Sequence, residues 1–273
     1  MISTRTGAGP PLVLVHGLGS TPRAWDPILA GLTARHEVIR ITLPGHDGAP
    51  AEADSGTFAG LMRSLDAFIV DQGLGAVPLV GSSLGARMVL EMARRGHRGA
   101  TVALDPGGFW KGWERTMFKT TLTASVGLLR GLGGAVKPIA RTAAGRTLLL
   151  AQLSAHPWRL DGKLVASELA AFAATPTALP LVRDLAAGPP QEGPAGPGAG
   201  PVTIGWGRHD RLCLGAQAER ARTAFPDAAF HWFDHSGHFP MWDEPAETLR
   251  LILAATQVAE APRGDAVIAS GRI

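Results

Sequence analysis

The chain has a single cysteine, Cys213, and no tyrosine among its 273 residues. One thiol excludes an internal disulfide and a cysteine metal cluster. Charge is also scarce: charged residues make up 18% and the net charge is only +3. The densest basic group, Arg94, Arg95 and Arg98, falls near a predicted helix end, where it offsets the helix dipole. No basic run interleaves with aromatics, which argues against a nucleic-acid partner. Long apolar runs are missing as well, and none approaches the roughly 20 residues of a membrane span. The first residues, Met1 to Gly7, lack the apolar core of a signal peptide. These absences lead to the expectation of a cytoplasmic protein without membrane or nucleic-acid partners. What is present is a globular composition, 45% hydrophobic, in a chain long enough for one or two domains.

Short apolar runs with β character recur along the chain with helical segments between them. They are Leu12–Val15, Val38–Ile41, Pro78–Val80, Thr101–Leu104, Val202–Trp206 and Ala229–Phe233. Alternation of this kind points to an α/β fold with a mostly parallel, doubly wound sheet. Runs apolar on consecutive residues suit strands covered on both faces. The rhythm breaks after Leu104. Residues 108–187 carry helical patterns only, and are read as a helical cap inserted over the C-terminal edge of the sheet, where open α/β folds bind ligands. This divides the chain into a core of residues 1–107 and 201–258, the cap, a linker and a tail. The linker, residues 188–200, is so rich in glycine and proline that a mobile surface segment is expected. Residues 259–273 are expected to be a flexible tail.

The chemistry is concentrated at strand ends. Gly81-Ser82-Ser83-Leu84-Gly85 closes the third of these runs and opens a helix predicted to stop at Gly96. Serine at the centre of G-x-S-x-G, between strand and helix, suits a nucleophile elbow: the glycines allow a tight turn that pushes the hydroxyl outward. A serine hydroxyl needs an adjacent base, and that base needs an orienting acid. Asp210 follows the fifth run and His238 follows the sixth, giving the chain order Ser, Asp, His. Asp105, at the end of the fourth run, competes with Asp210 for the acid, and His235 competes with His238 for the base. His16, His46 and His209 read better as loop residues, and Arg87 as an anchor of the elbow helix rather than a ligand for a substrate carboxylate.

With these residues in place, the chain resembles the α/β-hydrolase fold superfamily over roughly residues 10–258. His16-Gly17 with Trp25 downstream is similar to that family's oxyanion loop. Leu43-Pro44-Gly45-His46-Asp47-Gly48 is similar to its D-x-P-G-H-G loop, with Thr42 where an aspartate is usual. Gly205-x-Gly207-x-x-Asp210 and Ser236-Gly237-His238 resemble its acid and histidine motifs. The resemblance implies Ser83 as nucleophile, His238 as base, Asp210 as orienting acid, and the backbone N–H groups of Leu18 and Leu84 as oxyanion donors. It implies a small-molecule substrate and neither cofactor nor metal; the oligomeric state stays open. Serine at the elbow argues against relatives that use aspartate there. Phe109, Trp110 and Trp113 at the start of the cap are candidate pocket residues for a mainly apolar ester, thioester or lactone. Acyl transfer, perhydrolysis, carbon–carbon bond hydrolysis and a non-catalytic receptor remain alternatives on the same scaffold.

Overall fold

The computed structural model describes residues 1–256; the expected tail, residues 259–273, lies outside them. Seven strands form one sheet: β1 (Ile2–Thr6), β2 (Pro11–Val15), β3 (Glu37–Thr42), β4 (Leu79–Ser82), β5 (Thr101–Leu104), β6 (Val202–Gly207) and β7 (Ala229–Phe233). Their spatial order is β1-β3-β2-β4-β5-β6-β7. Strands β2 to β7 are parallel, and β1 runs antiparallel on the outside of β3 with Ile2 opposite Thr42. All six expected strands are present. β1 was not anticipated, because its sequence Ile-Ser-Thr-Arg-Thr is polar and mostly exposed, as an edge strand can be.

The helices are α1 (Asp26–Thr33), α2 (Phe58–Asp71), α3 (Leu84–Arg94), α4 (Trp113–Leu132), α5 (Val136–Arg141), α6 (Ala143–Leu149), α7 (Gly162–Ala174), α8 (Ala178–Ala187), α9 (Gly215–Ala224), α10 (Pro240–Asp243) and α11 (Pro245–Thr256). The consecutive apolar residues of β2 show how the layers arise. Val13 and Val15 pack on one face with Leu65 of α2, Met88 of α3 and Ala218 of α9. Leu12 and Leu14 point to the other face, with Ile28 and Leu32 of α1 and Ile252 of α11. Both faces are therefore dry, as a parallel sheet requires. The chain winds from β2 outward to β3, then returns to place β4 on the opposite side of β2. Ligands bind at such a switch point in open α/β sheets, and the loops after β2 and β4 meet there.

Between β5 and β6 the described chain forms helices α4 to α8 and no strand. These helices complete both cores: Phe118, Leu122 and Leu185 join one, and Leu129, Val165 and Leu169 join the other. The glycine- and proline-rich segment 188–200 has no regular structure, as expected, but it does not hang free. Its backbone is fastened by Gln191 N–H to Gly108 O at 2.8 Å, Gly196 N–H to Ala93 O at 2.9 Å and Gly200 N–H to His97 O at 2.9 Å. Composition shows that the backbone cannot pair in a regular ladder, but not that isolated donors find partners on the core.

Candidate active site

Ser83 stands between the end of β4 and the start of α3, with φ +56° and ψ −113°. A non-glycine residue holds that conformation only when its surroundings impose it. The two flanking glycines show how tight the turn is. A Cβ on Gly81 would stand 2.3 Å from the Gly85 carbonyl carbon, and one on Gly85 would stand 2.2 Å from the Val15 carbonyl oxygen. The Ser83 side chain makes no capping bond to α3, which leaves the hydroxyl free to point outward and the first N–H of the helix open.

The loops after β6 and β7 bring the partners. Asp210 Oδ1 accepts the backbone N–H groups of Leu212 at 2.8 Å and Cys213 at 2.9 Å. Its Oδ2 accepts from His238 Nδ1 at 2.7 Å. Because that bond occupies the Nδ1 proton, Nε2 is the lone-pair nitrogen, and it lies 2.9 Å from Ser83 Oγ. Both Asp210 and His238 are buried. His238 is set by its backbone too: its N–H donates to Leu153 O at 2.8 Å. His235 is exposed and turned away, with only its backbone N–H bonded, to Glu244.

Asp105 lies beside Asp210 rather than in its place. It is fully buried at the end of β5 with φ +47°. Its Oδ1 accepts the Gly207 N–H at 2.8 Å, and Oδ2 has no partner among the described residues other than the facing Asp210 carboxyl. Burial, then the neighbouring Asp210 charge, push the Asp105 carboxyl well above the usual carboxylate range. Burial thus biases the Asp105 carboxyl toward its neutral form. No bond links Asp105 to His238.

His16 is buried and neutral. Its Nδ1 contacts Gly17 O at 2.8 Å and its Nε2 accepts the Leu43 N–H at 3.1 Å, so it ties the loop after β2 to the loop after β3. Burial first, then neighbouring His46, lower its pKa to about 3. Burial likewise lowers that of His46 to about 4, and the two rings lie 5.3 Å apart. Asp210, Cys213 and His238 offer ligand atoms within 4.8 Å of one another. The carboxylate and imidazole are already committed to hydrogen bonds, and burial pushes the thiol pKa well up, so this donor set fits a hydrogen-bonded cluster better than a metal.

A mainly apolar cavity opens over Ser83. Leu18, Leu84 and His238 line it with Trp110, and the inserted helices add residues such as Leu122 and Phe172. Neither the Leu18 nor the Leu84 N–H has a hydrogen-bond partner outside regular helix and strand bonding among the described residues. Of the three expected pocket aromatics, only Trp110 is there, stacked on Phe118 with ring centroids 4.5 Å apart. Phe109 is buried elsewhere, against Trp206 and Phe225. Trp113 is 65% exposed at the start of α4. Neighbouring positions in a turn entering a helix point in different directions, so one run of aromatics serves a core, a cavity and the surface.

Two charged side chains complete the surroundings of the site, and Glu168 is the one sequence reasoning did not single out. Glu168, in the apolar helix α7, is buried and accepts Ser20 Oγ–H at 2.6 Å and Thr21 N–H at 3.1 Å, as well as Thr21 Oγ1–H. It fastens the insertion to the loop that carries Leu18. Its sequence signal was a lone acid amid leucines and alanines. Arg87 is also buried and lines the cavity, bonded through Nη2 to Pro189 O at 2.8 Å.

Known proteins bear on this geometry. The family model described as "Alpha/beta hydrolase family" matches residues 12–251. A pimeloyl-[acyl-carrier protein] methyl ester esterase of Aromatoleum aromaticum is 28% identical over 89% of this chain and 96% of its own length. Among solved structures, an enol-lactonase from Burkholderia xenovorans has a TM-score of 0.71 at 17% identity, covering 93% of this chain and 95% of that one. A carboxylesterase from Bacillus subtilis has a TM-score of 0.69 at 17% identity, over 93% and 86%. Identities this low speak for a shared fold.

Proposed function

The chain belongs to the alpha/beta hydrolase family, and from that premise we propose that it is a serine hydrolase cleaving a carboxylic ester, thioester or lactone through an acyl-serine intermediate. The observation that carries this reading is the unbroken line from Asp210 through His238 to Ser83 Oγ, with links of 2.7 and 2.9 Å, beneath an apolar cavity. Ser83 Oγ attacks the acyl carbon as its proton passes to His238 Nε2. The carbonyl oxygen becomes an oxyanion facing the Leu18 and Leu84 N–H groups, each contributing about 3 kcal/mol to the transition state by mutational precedent. The tetrahedral intermediate collapses, the acyl–oxygen or acyl–sulfur bond breaks, and His238 returns the proton to the leaving group. Water then repeats the sequence on the acyl-enzyme, with His238 as base. Asp210 keeps its charge throughout and stabilises the imidazolium.

Helices α4 to α8 act as a cap that excludes water and selects the acyl chain. The methyl ester esterase relative and the lactonase and carboxylesterase neighbours support ester chemistry. Turnover of methyl esters, thioesters and lactones of graded chain length tests the reading. Hydrolysis of at least one class, absent in Ser83→Ala, is expected; hydrolysis that survives in Ser83→Ala would place the chemistry elsewhere.

A further inference from the structure

Arg87 lies one helical turn beyond Ser83 on α3, between the cavity over Ser83 and a second pocket lined by Phe58 and Pro189. The residue is 4% exposed, and no carboxylate lies within ion-pair distance of it among the described residues. One donor is satisfied by Pro189 O. Among the described residues the Nε and Nη1 donors have no partner, and neither does the indole Nε1–H of Trp110, which is also 4% exposed and lines the catalytic cavity. The guanidinium is held over the Phe58 ring at 4.4 Å and beside the Trp110 ring at 5.6 Å. Aromatic faces offset part of the charge but accept no in-plane hydrogen bond. A buried cation with open donors is costly unless an acceptor arrives. Burial accordingly lowers its pKa, to about 10, which still leaves it charged at neutral pH.

We propose that the cavity takes an acyl group whose far end carries a carboxylate, received by the open donors of Arg87 and Trp110. This rests on the reading of Ser83 as nucleophile. The planar guanidinium suits a carboxylate through paired hydrogen bonds. Residues one helical turn apart sit about 5–6 Å from each other, so a spacer of a few methylenes spans from the acyl carbon to the guanidinium. The apolar lining covers that spacer. Specificity follows from the unpaired donors: a substrate lacking the carboxylate leaves them unsatisfied.

Two esters isolate the end group: monomethyl adipate, and methyl 6-methylheptanoate, which has an isopropyl group of similar shape in place of the carboxylate. Hydrolysis is followed by pH-stat, and binding to Ser83→Ala by calorimetry. The wild type is expected to favour monomethyl adipate at least tenfold in kcat/KM, chiefly through KM. Arg87→Met should erase the ratio, Arg87→Lys should keep part of it, and Trp110→Phe, which retains the ring without the N–H, should reduce it two- to fivefold. Equal handling of the two esters by the wild type, or an unchanged ratio in both Arg87→Met and Trp110→Phe, would overturn the proposal. If neither ester is turned over, the nucleophile reading is in question, and binding to Ser83→Ala decides the anion site independently: tighter binding of monomethyl adipate supports it, and equal or absent binding overturns it.

Discussion

The strand-end loops and the inserted helices of this molecule are fixed by different kinds of constraint. Around Ser83 the backbone itself is the constraint: Gly81 and Gly85 leave no room for a side chain, and Ser83 takes a positive φ. Asp210 and His238 are then placed by main-chain donors and acceptors, the N–H groups of Leu212 and Cys213 and the carbonyl of Leu153. Helices α4 to α8 and their connecting loops are attached by side chains as well, through Glu168 to the loop after β2, Glu114 to Arg220 on α9, and Asp243 to Ser154, beside the main-chain link from Leu153 to His238. The first arrangement preserves one geometry while side chains around it vary. The second lets the cavity change while the chemistry beneath it stays the same.

The comparison is broken hardest at the acid. Asp210→Asn should lower kcat by about 10³ to 10⁴, because the amide reverses the His238 tautomer. Asp105→Asn should change it by less than about threefold, since an amide replaces a carboxyl that burial biases toward its neutral form and that makes no bond to His238. Steady-state kinetics on any accepted ester checks both, and the reverse order would move the acid to β5. The next effect is on the attachment of the insertion. Glu168→Ala leaves the buried Thr21 and half-buried Ser20 donors unpaired, and should reduce stability by about 1–3 kcal/mol. It should also raise KM by loosening the Leu18 loop. Unaltered thermal denaturation would mean that the insertion and this loop are independent.

The pH response sharpens the account of the strand-end loops. The unfolded chain protonates His16 below its ordinary value of 6.5, whereas the buried ring stays neutral down to about 3. Acid therefore favours unfolding below pH 6.5. Relative to His16→Asn, the wild type should lose at most about 1.4 kcal/mol per pH unit between pH 6 and 4 in denaturant titrations. A pH-independent difference would show that the ring is protonated in the fold. The smallest effect belongs to the surface of the insertion: Trp113→Ala should alter stability by no more than about 0.5 kcal/mol and leave KM unchanged, whereas Trp110→Ala should raise KM.

What was legible in the sequence follows the same division. Ser83, Asp210 and His238 could be named because a strained turn and two strand-end loops demand particular residues at particular spacings. The strands of the sheet core were legible because burial on both faces writes consecutive apolar residues. β1 was not, since an exposed edge strand needs only extended backbone. Phe109, Trp110 and Trp113 looked equivalent because no periodicity at a helix entrance tells which way each points. Glu168 and Arg87 were hardest of all: a charged residue is normally a surface signal, and their burial comes from partners or cavities far away in the chain.

Intact-mass analysis after treatment with a fluorophosphonate tests the central claim most directly. One phosphonyl adduct per chain, mapped to Ser83 by peptide sequencing and absent from both Ser83→Ala and heat-denatured protein, is the expected result. An unmodified chain, or an adduct that persists in Ser83→Ala, would contradict the assignment of Ser83 as the activated nucleophile.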